Sequence, residues 1–146
     1  MAMTVHDQQL DVRFISMTKH DEYRSLYLSY LTCCNDHDLD GMASFYAPTM
    51  KVNGVPMEPT AVTAQFEPTI AGFPDWHWDM QHLVIDGDDI VVHFVVTGTH
   101  QGTYEGIDAT GRRITVSQFT LYRLSDGKFA EVWDLVDVNA LMNQIG

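Results

Sequence analysis

From Thr18 to about Cys34 the apolar positions fall at Tyr23, Leu26, Tyr27, Tyr30, Leu31 and Cys34. Steps of three and four predict an amphipathic helix, with Thr18 as N-cap and Asp21 and Glu22 favouring the dipole of its first turn. Asn35-Asp36-His37 breaks the pattern. A short second helix is expected from about Asp38, with Leu39, Met42, Phe45 and Tyr46 on one face and Pro48 as its stop. Met50 to Val55 reads as a strand ended by the Asn53-Gly54 turn signal. Thr60 caps a predicted third helix carrying Ala61, Val62, Phe66 and Ile70, which Pro68 should end or kink.

The remainder alternates. Strands are predicted over Trp76 to Ile85, Ile90 to His100, Ile114 to Leu124 and Phe129 to Val138, with a further short one over Thr103 to Ile107. Turns at Asp86-Gly87-Asp88 and Ser125-Asp126-Gly127 are too short for crossovers, so the strands form antiparallel hairpins. Helices first and a meander after predict an α+β fold, a curved antiparallel sheet wrapped around N-terminal helices. Residues 1–16 read as a separate N-terminal arm, and residues 17–146 as one domain.

Sorting the strands by face separates core from chemistry. Ile90, Val92, Phe94, Val96, Gly98 and His100 share one face. Ile114, Val116, Gln118, Thr120 and Tyr122 share another, as do Val132, Asp134 and Val136. Each is apolar with one polar residue set into it, the composition of a small-molecule site. A carboxyl enclosed by apolar walls is a candidate acid/base group. Asp134 is that candidate, and its alternatives are a surface aspartate at a strand end or a buried one paired with Arg112 or Arg113. Trp76, Trp78 and Trp133 with the tyrosines read as core by default, though aromatic walls, Trp78, Phe94 and Tyr27 among them, also suit a flat, polycyclic ligand.

Charge and composition narrow the partners. Eight Lys plus Arg against 20 Asp plus Glu give −12 with His neutral, which repels phosphate backbones and anionic lipid. Nucleic acid and membrane are therefore excluded as expected partners. The adjacent Cys33-Cys34 cannot be a disulfide framework, and the charged first residues do not resemble a secretory signal, so a cytoplasmic location is expected. Seven histidines show neither HEXXH nor i,i+4 spacing, so no metal is expected.

From His100 onward the chain becomes specific. Gly98-Thr99-His100, Gly102, Gly106-Ile107, Thr110-Gly111-Arg112-Arg113, Tyr122-Arg123, Asp126-Gly127-Lys128 and Trp133-Asp134 resemble the SnoaL-like polyketide cyclase and ester cyclase family. Upstream, Asp38-Leu39-Asp40, Phe45-Tyr46-Ala47 and Phe73-Pro74-Asp75 fit as well, so the resemblance covers about residues 20 to 146. It implies the cone-shaped α+β barrel of nuclear transport factor 2, an acid/base aspartate at Asp134, a strand-end histidine at His100 and a cavity glutamine at Gln118. A cyclase histidine two places after that glutamine is Thr120 here. The Lys51-Val52-Asn53-Gly54 stretch resembles fungal meroterpenoid and polyketide cyclases, in which a glutamate shortly downstream, here Glu58, shares the acid/base work. The resemblance thus implies a cofactor-independent cyclase or isomerase of secondary metabolism, with Asn53, Gln118 and Thr120 toward a small hydrophobic, polycyclic substrate, and a homodimer formed through the outer sheet face. The rival readings are a hydrolase or dehydratase on the same fold, and a non-catalytic binding or dimerisation module with Asp134 paired by arginine in a filled interior.

Overall fold

The computed structural model describes the backbone from Val5 and the side chains from Lys19 to Gly146. Helix α1 runs over Val5–Asn35. It begins well before the expected cap at Thr18, because residues 5–17 contain no glycine or proline to interrupt it. Of the expected arm, residues 1–4 lie outside the described residues, and the backbone from Val5 continues into α1.

The helix α2 spans only Leu39–Ala43, capped by Asp38, whose carboxylate accepts from the Gly41 N–H. Phe45 and Tyr46 are therefore not helical. Strand β1 takes Tyr46–Val52 and includes Pro48, which falls where the ladder shifts register and needs no N–H. Asn53 and Gly54 both adopt positive φ, 48° and 85°, and turn the chain into the short β2, Val55–Met57. The single helix expected to be kinked by Pro68 is two helices, α3 (Pro59–Ala64) and α4 (Glu67–Gly72). Pro68 lies in the first turn of α4, where its missing N–H costs nothing. Thr60 is inside α3 rather than at its cap.

Four long strands follow: β3 (His77–Asp86), β4 (Asp89–Thr99), β5 (Arg113–Ser125) and β6 (Lys128–Val136). Thr103 to Ile107 forms only one bridge, Tyr104 to Ile107. Asp137 caps a final helix, α5 (Val138–Ile145), where continued strand was expected at Val138. The strands make one curved, unclosed sheet ordered β2-β1-β6-β5-β4-β3. All pairings are antiparallel except β1 with β6. Those two strands are separated by most of the chain, so no hairpin constrains their direction.

The expected face assignments hold on the central strands. Ile90, Val92, Phe94, Val96 and His100 are buried, as are Ile114, Val116, Gln118, Thr120 and Tyr122. Tyr27, Tyr30 and Cys34 of α1 meet them from the inner side. Tyr30 packs edge-on against Phe129 at 4.9 Å, and Tyr122 lies 4.7 Å from the same ring.

The Gly98 to Gly102 stretch is a packing device. A Cβ on Gly98 would stand 3.2 Å from Phe73, and one on Gly102 would collide with the Ala71 carbonyl. Both absences let the end of β4 and the segment after it lie directly on the C-terminal end of α4.

Candidate functional site

One cavity opens between α1, the α3 to α4 corner and the inner sheet face. About 50 Å³ of it has room for water, and the wider space of about 540 Å³ between the lining residues includes the open mouth and the solvent there. Tyr27, Tyr30 and Cys34 line it from α1; Tyr46, Met50 and Val52 from β1; and Val62, Gln65 and Phe66 from the corner. Trp78 and Phe94 close one side, and Gln118, Thr120, Tyr122, Val132 and Asp134 form the other.

The polar groups of the wall are held by one another. Gln118 is buried, and its Oε1 accepts from the Trp78 indole N–H at 3.0 Å. Its Nε2 donates to the Thr120 hydroxyl oxygen at 3.2 Å. This chain fixes which end of the amide is which. It leaves Gln118 a second N–H and Thr120 its hydroxyl proton to donate elsewhere.

Thr120 is the cross-strand partner of Asp134. Asp134 is exposed at the cavity's mouth, which corrects the expectation of a carboxyl enclosed by apolar walls. Among the described residues no arginine pairs with it. The Asn53 amide donates to Asp134 Oδ1 at 2.8 Å, and the Asp134 backbone N–H donates to Asn53 Oδ1 at 3.1 Å. The Asn53 N–H donates to the Val132 carbonyl, so the turn residue is tied to β6 at both ends. The parallel β1 to β6 pairing and the positive φ of Asn53 put this side chain beside the carboxylate.

The inner end of the cavity is phenolic. Tyr30 and Tyr46 hydroxyls lie 2.6 Å apart, and the Tyr27 hydroxyl donates to that of Tyr122 over a longer 3.4 Å. Burial pushes the Tyr27, Tyr30 and Tyr122 phenols well above the ordinary tyrosine range, and the Asp134 charge adds to this at Tyr122. Burial also raises Tyr46, and it pushes the Cys34 thiol up to about 12. These groups are neutral at physiological pH. Among the described residues Asp134 is the one charged residue in the lining.

Six of the nine expected site residues therefore line the cavity: Asp134, Gln118, Thr120, Trp78, Phe94 and Tyr27. Asn53 stands behind Asp134. The other two, His100 and Glu58, are not in the lining. His100 is fully buried beyond the end of β4, stacked on Phe73 with ring centroids 5.3 Å apart. Its Nδ1 accepts from the Thr110 N–H at 3.2 Å and sits 2.9 Å from the Thr110 hydroxyl, which ties down the following loop. Its Nε2 finds no partner among the described residues. Glu58 is exposed on the loop before α3. Sequence reasoning passed over Tyr30, Tyr46, Phe66 and Gln65. Tyr30 is legible, because it shares the helical face of Tyr27 and Cys34; Tyr46 depends on where β1 begins, and Gln65 and Phe66 on where the α3 to α4 corner folds.

A curved sheet covered by helices, with a carboxylate and an oriented amide in the wall of a largely apolar cavity, gives an α+β domain with the lining composition of small-molecule sites. The family model of the SnoaL-like polyketide cyclases matches residues 24–145. The chain belongs to that family. Among solved structures it is similar to AclR of Streptomyces galilaeus, assigned as a hydroxylase, at 25% identity and a TM-score of 0.78 over 86% of this chain and 82% of that one. TsrD of Streptomyces laurentii matches at 25% identity and 0.77 over 86% and 96%. IdmH of Streptomyces antibioticus, assigned as a polyketide cyclase, shares the fold at 24% identity and 0.76 over 84% and 97%. No curated protein matches the chain.

The Asn53 clamp is testable by N53G, which keeps the positive φ while deleting the amide. Loss of hydrogen bonds to a charged group should cost about 1–3 kcal/mol, read as a lower denaturant midpoint. An unchanged midpoint would mean that the clamp does not hold β1 to β6.

Proposed function

We propose that the protein is a cofactor-independent cyclase or isomerase of secondary metabolism, acting on a neutral polyketide- or terpenoid-derived molecule by proton transfer through Asp134. The observation that carries this reading is the placement of Asp134 across one strand pair from Thr120, next to the Trp78, Gln118 and Thr120 hydrogen-bond chain. A base and two unspent donors side by side are what enolisation requires. Asp134 takes a proton from the carbon beside a carbonyl. The free Gln118 N–H and the Thr120 hydroxyl donate to the carbonyl oxygen as it becomes an enolate. The enolate carbon then closes onto an electrophile in the same molecule, or is reprotonated at another position. In both cases the proton returns from Asp134, and the product has the mass of the substrate.

The cavity's charge supports the neutral substrate. Among the described residues no lysine, arginine or histidine lines it, and a carboxylate or phosphate would meet Asp134 and neutral phenols. The absence, among the described residues, of an arginine on Asp134 weighs against the binding module in which it is paired. Asn53 acts as a positioning residue in this scheme. His100 holds the loop after β4, and Glu58 has no step.

The reading includes a homodimer through the outer sheet face. Phe119, Trp133, Leu135 and Val138 leave apolar side chains exposed there, Leu135 by 73%, around shallow hollows. A contiguous patch of this kind marks an interaction surface. It also places the enzyme in the cytoplasm, where the free thiols of Cys33 and Cys34 remain reduced. None of the described helices is long and apolar enough to cross a membrane.

Two measurements test this. Wild type, D134N and Q118E are given the metabolite pool of the producing cells, and products are read by mass spectrometry. Wild type should give an isomeric product. D134N should lower its rate by about 10²–10⁴-fold. Q118E still accepts from Trp78 but lacks the donor, and should lose about 10²–10³-fold. Products that lose or gain water would favour the dehydratase or hydrolase, and gain of one oxygen would favour the hydroxylase assigned to AclR. For the dimer, sedimentation equilibrium should give twice the chain mass for wild type and a monomer for L135E; a monomeric wild type would overturn it.

A further inference from the structure

On the opposite side of the sheet from the cavity, His82 of β3 and His93 of β4 are direct cross-strand partners. A bulge between Met80 and His82 precedes the pair. Their Nδ1 atoms lie 3.0 Å apart, with the ring planes inclined by only 20°. At that distance one nitrogen carries a proton and the other accepts it. Neither ring is paired with a carboxylate among the described residues. On its other side His93 stacks on Phe119, with ring centroids 4.4 Å apart and planes 15° apart, so one of the two imidazoles is already held in place. His82 is exposed and able to turn. Around them the outward positions Val84, Val91, Val95 and Phe119 are uncharged, and the acidic residues of the same strand are Asp79 and, at its far end, Asp86, paired with Asp89 of β4.

We infer that His82 and His93 form a chelating site for one divalent transition-metal ion. Two nitrogens 3.0 Å apart, each about 2.0–2.1 Å from a shared ion, subtend about 95° at it. That is a cis angle of tetragonal coordination, which suits copper(II) or nickel(II), and it is narrower than the tetrahedral angle zinc prefers. Copper(II) also stands highest in the affinity order for imidazole ligands. The ion replaces the proton that the pair now shares. Both Nδ1 atoms then donate lone pairs to the metal, and the proton of the donating ring moves through solvent to its own Nε2, so both imidazoles stay neutral ligands. Among the described residues no group of three or more metal-ligating side chains is present, so water completes the coordination. A net charge of −12 raises the concentration of cations at the surface. Strand β3 is an edge of the sheet, so the pair sits at the margin of the outer apolar patch and is open to solvent. The site is separate from the cavity and requires no part of the proposed reaction.

The test is calorimetric titration of the full chain with copper(II) chloride, followed by electron paramagnetic resonance of the loaded protein. Wild type should bind one equivalent, with a spectrum showing nitrogen ligation. Loss of a mere outer-sphere partner costs metal sites about 10–100-fold, so H82Q and H93Q should each weaken binding by at least about tenfold. Both variants should keep the wild-type circular dichroism, and H20Q and H77Q should bind as wild type does. No saturable binding by wild type would overturn the site and leave a proton-sharing pair. One-equivalent binding that survives in the H82Q/H93Q double variant, or is lost in H77Q, would overturn it equally.

Discussion

The tyrosine stripe of α1 has to be buried against the sheet, and its hydroxyls have to be satisfied there. Tyr27 and Tyr30 bring large apolar rings to the core and polar tips with them. A buried phenol needs a partner, and these find one another's neighbours: Tyr30 with Tyr46, Tyr27 with Tyr122. The rings stand edge-on around Phe129 rather than packing flat into the sheet. The space between them and the upper sheet is the cavity. Core packing and the site are therefore one construction, and the phenols that stabilise the helix against the sheet also make the inner end of the cavity neutral.

At the other end a different constraint operates. Asp134 is near the end of β6, where a strand-end aspartate would ordinarily face water without a fixed partner. The parallel pairing of β1 with β6 brings the Asn53-Gly54 turn alongside it. Reciprocal hydrogen bonds with Asn53 then set one carboxylate oxygen and leave the other unassigned. Exposure and orientation are combined in one group, which can exchange its proton with solvent while keeping its place. Gln118 is the counterpart on β5, with its amide oriented by Trp78 and Thr120.

Much of this is legible in the chain. The alternation from Ile114 to Tyr122 states which side chains face inward, because strand period is two and the pattern runs unbroken. The tyrosine spacing of α1 and the Asn-Gly and Asp-Gly turns are equally local signals. What escapes is set by contacts between distant segments. His100 alternates with the cavity-facing residues of β4, yet it lies beyond the strand's last residue, where Phe73 and Thr110 enclose it. Pro68 looks like a break and is a start, because the choice depends on where α3 ends. His82 and His93 show no motif along the chain; only the register of β3 on β4, shifted by a bulge, makes them neighbours. Asn53 beside Asp134 likewise depends on a pairing between strands separated by most of the sequence.

The central claim is that Asp134 moves a proton at a carbon next to a carbonyl. Turnover of substrate deuterated at that carbon, in ordinary water, tests it most directly. The carboxyl is exposed, so a deuteron taken from substrate exchanges before it returns. The isomeric product should then have lost one deuterium from that carbon, whether the carbon closes onto an electrophile or the molecule is reprotonated elsewhere, and D134N should form that product only at its residual rate. Product formed at the full wild-type rate with all the deuterium kept at that carbon would contradict the account.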